Sequence, residues 1–149
     1  MSFAQPSLKG RALRLLSGRE YSRTELERKL KRFEEEPGTL ARALDELQAK
    51  GFISEQRVIE SVLHRRAAKL GTARIKQELQ SKGLDPQAVT EALAGLHVSE
   101  GERALEVWRK KFGQAPIDAP AAARQMRFLA ARGFGADAIR RVVKAPTST

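Results

Sequence analysis

Arg65, Arg66 and Lys69, followed by Arg74, Lys76 and Lys82, set six cations in one short stretch with Glu78 the only acid among them. Fifty residues on, the pattern returns as Arg124, Arg127, Arg132, Arg140 and Arg141, with Asp137 the only acid. Guanidinium and ammonium groups clustered this way hold phosphates or acidic protein ridges by charge-assisted hydrogen bonds. They do not make a reaction. The chain has no cysteine, which excludes disulfides, thiol chemistry and a thiolate zinc site. His64 and His97 are its two histidines, too few for a transition-metal site. No phosphate-cradling loop is present, and Gly133-Phe134-Gly135 follows a helical segment, so it is not a dinucleotide fingerprint. The sequence therefore reads as a non-enzyme without metal or cofactor. Glu25, Glu27, Glu34, Glu35, Glu36, Asp45 and Glu46 read as solvated helix surface. Three of these have a lysine four residues on: Glu25–Lys29, Glu27–Lys31 and Glu46–Lys50. Trp108 with Leu105 and Phe112 reads as core. The chain has eight aromatics in 149 residues, too few to make base stacking the main mode of contact.

The net charge is +10, unevenly spread. Residues 61–84 and 121–144 each carry six bases and one acid, whereas 20–60 carry ten acids and eight bases. The two basic segments call for a polyanionic or acidic partner. No apolar run reaches the roughly 18 residues of a membrane span, and the N-terminus lacks a signal peptide's apolar stretch. The expectation is a cytoplasmic monomer.

The elements that position these cations follow from apolar spacing near 3.6. It predicts nine helices, over 10–18, 22–35, 39–50, 54–70, 72–82, 86–96, 100–112, 120–132 and 136–144. Ser22 to Glu25 and Ser99 to Glu102 read as capping boxes, and Asp85-Pro86 as a cap with proline in the first turn. Gly51, Gly71, Gly83, Gly113 and Gly133 read as helix ends. A shift of 49 or 50 residues superposes Leu26 on Ile75, Leu79 on Leu129, Lys82 on Arg132 and Gly83 on Gly133. The fold class is thus all-α, with three tandem three-helix repeats at 10–50, 51–98 and 99–144 in an elongated, curved array. Residues 1–9 and 145–149 read as flexible ends.

With these residues in view, the chain resembles the RecX regulators of the RecA recombinase. The stretch "GFISEQRVIESVLHRRAAKLGTARIKQELQSKGL", 51–84, carries the central likeness, and "RALEVWRKKFG" and "RQMRFLAARGFGADAIRRVV" extend it through the third repeat. Val58 stands where the family often has an aromatic, and the acidic "RFEEEPGT" makes the first repeat the least typical. The resemblance implies three tandem three-helix repeats and binding in the groove of the RecA–DNA filament, restraining ATP hydrolysis and strand exchange. ATP would belong to the partner. A stand-alone DNA-binding protein built of helix-turn-helix-like units is the alternative reading.

Overall fold

A computed structural model describes residues 5–144. Among them the chain is all-α: α1 (Leu8–Leu16), α2 (Arg23–Leu30) continued by a 3-10 turn (Lys31–Phe33), α3 (Thr39–Ala49), α4 (Glu55–Arg66), α5 (Thr72–Ser81), α6 (Pro86–Lys111), α7 (Ala119–Ala131) and α8 (Ala136–Val142). Residues 5–7 precede α1, which starts two residues before the predicted first helix. The remaining end residues, 1–4 and 145–149, lie outside the described part.

Three separate apolar cores account for the architecture. Leu26, Leu30, Leu40, Leu44 and Leu47 fill the first, among α1, α2 and α3. Val58, Val62, Ile75, Leu79, Val89 and Leu93 fill the second, among α4, α5 and the start of α6. Ala104, Leu129, Phe134, Ile139 and Val142 fill the third, among the end of α6, α7 and α8. Each core is small, and laying three in a row exposes surface. The accessible area is 9953 Å², about a third more than the ~7,500 Å² of a compact monomer of this length. The array is therefore elongated.

One expected boundary is absent. The predicted helices 86–96 and 100–112 are one helix, α6, of 26 residues, about 39 Å long at 1.5 Å per residue. It belongs to the second and third repeats at once. The capping box read at Ser99–Glu102 does not form. The Ser99 hydroxyl donates to the Leu96 carbonyl at 3.2 Å, and Glu100 is buried and turned to another helix. At the other end of the chain, the Ser22–Glu25 capping box forms as read, with both hydrogen bonds present.

Gly83 and Gly133 have φ of 66° and 92°, the left-handed conformation that a glycine just past a helix end supplies. Gly71 differs from its expected part. Its φ is −77°, and it caps the start of α5 rather than ending α4. α4 stops at Arg66, short of the predicted residue 70, so Lys69 sits in the turn beyond the helix.

Candidate functional site

The echoed segments meet the rest of the chain at two joints, and the joints decide which cations face solvent. In each, the glycine turn that ends the second helix of one repeat rests on the N-terminus of the second helix of the repeat before it. Gly83, after α5, rests on α2. Gly133, after α7, rests on α5.

At the first joint a Cβ on Gly83 would strike the Thr24 side chain. Lys82 turns inward and places its ammonium 3.2 Å from the Glu25 carboxylate; the two side chains are 11% and 15% exposed. Arg19 reaches the same carboxylate at 2.7 Å. Burial opposes ionisation of Glu25. The hydrogen bonds from Arg19, the Ser22 amide and Lys82, with the Lys82 charge, outweigh it and hold the carboxyl down at about 2. Arg28 donates to the Ser81 carbonyl at 2.8 Å, satisfying the end of α5.

At the second joint backbone meets backbone. The Gly71 amide donates to the Arg132 carbonyl at 2.8 Å, and the Ala73 amide to the Gly133 carbonyl at 3.3 Å. A Cβ on Gly71 would lie closer than 3.0 Å to the Gly133 backbone, and one on Gly133 would reach the Arg74 amide at 2.6 Å. Arg74 donates to the Ala131 carbonyl at 2.8 Å. Gly71 has no side chain to cap α5, so Glu100 does it from α6, accepting from the Thr72 amide at 2.9 Å. A carboxylate is favoured there by the helix dipole. Arg103, one turn on, donates to the carbonyls of Ala67, Leu70 and Leu96 at 2.9, 2.6 and 3.0 Å. It reaches the hydroxyls of Ser99 and Thr72 as well. Burial pulls this guanidinium below its ordinary pKa, partly offset by the Glu100 charge. The sequence reading missed Glu100 and Arg103 as the pair that ties the turn after α4 to α6. A signal was available: positions 89, 93, 96, 100 and 104 keep one helical register, with Glu100 standing where an apolar residue would continue the face.

The predicted cations therefore divide. Lys82 is corrected: it is buried in the first joint, held by Glu25, and does not belong to the surface. Arg66, Arg74 and Arg132 come together at the second joint. With Leu70, Gln77 and Glu78 they line an open cleft of about 470 Å³. Arg66 is tied to Glu78 at 3.2 Å, and Arg132 lies 4.9 Å from the Phe128 ring. Arg65, Lys69 and Lys76 are exposed on the second repeat, and Arg124, Arg127 and Arg141 on the third. Among the described residues none of these six makes an ion pair. Arg140 pairs with Asp137 on its own helix. The acids also depart from the reading. Glu25 pairs with Arg19 and Lys82, Glu27 with Arg23, and Glu46 with Lys9, not with the lysines four residues on.

Family models for the first, second and third three-helix domains of RecX match residues 9–47, 54–93 and 99–143. The chain belongs to the RecX family. A protein named regulatory protein RecX from Leptothrix cholodnii is 54% identical over 94% of this chain and 89% of its own length. Another of that name from Herminiimonas arsenicoxydans is 50% identical over 97% and 96%. The crystal structure of RecX from Lactobacillus salivarius superposes with a TM-score of 0.70 over 91% of each chain at 22% identity, which bears on the fold. The RecX domain limits at 93 and 99 both fall inside α6. The family's second and third domains are thus joined here by unbroken helix. No helix among the described residues is long and apolar enough to cross a membrane.

Proposed function

We propose that this chain binds the RecA nucleoprotein filament in the cytoplasm, as a monomer, and restrains its ATP hydrolysis and strand exchange. Membership of a family of regulatory proteins supports a regulatory role. The observation that carries the contact is the cleft of Arg66, Arg74 and Arg132 at the second joint; Arg65, Lys69 and Lys76 on the second repeat and Arg124 and Arg127 on the third add exposed charge that, among the described residues, no carboxylate pairs. Two repeats present like charge in fixed relation, which suits a partner that is itself periodic. Linked weak contacts on successive protomers gain affinity through effective concentration. In this reading Arg140 and Arg141 extend the face at its far end, and DNA phosphates within the filament are available to the same cations.

Binding to assembled filament is compared with binding to bare single- and double-stranded DNA at one salt concentration. The expected result is preference for filament, with slower ATP hydrolysis. Equal affinity for bare duplex, with a sequence preference and unchanged hydrolysis, would favour the DNA-binding alternative.

A further inference from the structure

The first repeat holds a groove that the filament reading does not use. Arg11 and Arg14 of α1 face Lys29 of α2 and Arg32 of the 3-10 turn across a space of about 300 Å³. Its apolar lining includes Pro6, Leu15, Leu30 and Phe33. The Arg11 guanidinium lies 3.7 Å and that of Arg32 4.6 Å from the centre of the same Phe33 ring. Cation–π contact holds both in place, yet it brings like charges together without neutralising either. Among the described residues, none of the four cations has a carboxylate within ion-pair distance. Among the described residues the Arg11 side chain donates to the neutral Gln5 amide oxygen, at 3.3 Å. Nearby acids are not scarce: Glu35 and Glu36 line a neighbouring pocket that shares Arg11, Arg32 and Phe33 with this one.

We infer that this groove docks an acidic peptide segment carrying an apolar anchor. The anchor packs on Leu15 beside the Phe33 ring, both half-buried, while carboxylates answer Arg11, Arg14, Lys29 and Arg32. Bidentate pairing suits the three guanidiniums, and a pocket that combines apolar floor with arginine rim has the make-up of an interface hot spot. A nucleic acid strand fits less well. Phe33 packs on the first core and already carries two guanidiniums, so it is no platform for a base.

The test uses a fluorescein-labelled peptide with a Leu-Phe pair flanked by Glu and Asp, titrated with the full chain by anisotropy. Arg14→Glu with Lys29→Glu should weaken it by about tenfold or more, since both charges oppose the acidic strand directly. Arg124→Glu with Arg127→Glu should leave it unchanged. Replacing the Leu-Phe pair by Ser-Ser should weaken it several-fold. In the wild-type chain, peptide should shift the amide resonances of Arg14, Leu15 and Lys29, a readout that depends on no variant. Equal binding of the Ser-Ser peptide, resonance shifts elsewhere, or absence of binding overturns the inference. So does an oligothymidylate that displaces the peptide and is itself weakened by Arg14→Glu with Lys29→Glu.

Discussion

At the first joint the N-terminus of α2 caps itself: Ser22 and Glu25 exchange hydrogen bonds, and Lys82 of the next repeat reaches in to the same carboxylate. At the second joint the equivalent N-terminus is capped by its neighbours. Gly71 stands where Ser22 does, forty-nine residues earlier; its amide goes to Arg132, and Glu100 supplies the missing carboxylate. The difference follows from one side chain. Behind a serine cap the incoming turn meets the Thr24 side chain and the Lys82–Glu25 ion pair. A glycine cap lets backbone rest on backbone, where nothing can adjust. The repeat unit is thus joined once through side chains and once through backbone, and Arg66, Arg74 and Arg132 gather at the backbone joint.

The largest effects are expected where backbone has no room. Gly71→Ala should destabilise the chain by about 3 kcal/mol, the upper range for overpacking, because the new methyl meets the Gly133 backbone and not a movable side chain. Gly133→Val adds positive-φ strain to a clash of its own, with the Arg74 backbone amide and the base of its side chain, and should be at least as severe. Urea unfolding followed by circular dichroism checks both. Wild-type midpoints would show that the second joint is looser than described.

Next comes the ion pair. Glu25→Gln should cost about 3 kcal/mol at neutral pH, because it leaves Lys82 buried without a counter-charge. Its pH signature separates it from the glycine variants. The Glu25 carboxyl is held down at about 2 from an ordinary 4.5, so its stabilisation is complete above 4.5 and is lost as pH falls through about 2. Wild type should therefore converge on Glu25→Gln over that window. A constant gap between the two from pH 6 to pH 2 would mean that the carboxylate does not carry the joint.

The smallest stability effect should come from Gly83→Ala, about 2 kcal/mol, because positive-φ strain is joined by a close contact with the Thr24 side chain and not with backbone. A cost equal to that of Gly71→Ala would erase the contrast between the joints.

Much of this was legible and some was not, for reasons that differ. The Ser22–Glu25 box, the Asp85 cap and the positive-φ glycines are local devices, complete within a few residues, so spacing reveals them. The echo of Gly83 and Gly133 was visible too, but as a pair of helix ends, whereas each also rests its turn on the repeat before it. Lys82 shows why: its charge reads as surface until tertiary packing brings Glu25 from fifty-seven residues away. The false break in α6 has the same origin. Ser99 and Glu102 carry the letters of a cap, but Glu100 and Arg103 are engaged by α5 and the turn before it, and the apolar register runs through.

The most direct measurement is RecA filament ATP hydrolysis in the presence of a chain with Arg65→Glu, Lys69→Glu and Arg127→Glu. These side chains are exposed and unpaired, and both joints remain intact. Glu91→Gln with Glu106→Gln serves as control. Expected are normal folding, at least about tenfold weaker inhibition by the triple variant, and wild-type inhibition that fades with salt as exposed charges are screened beyond about 8 Å. Undiminished inhibition by the triple variant, with the control also unchanged, would contradict the proposed filament contact.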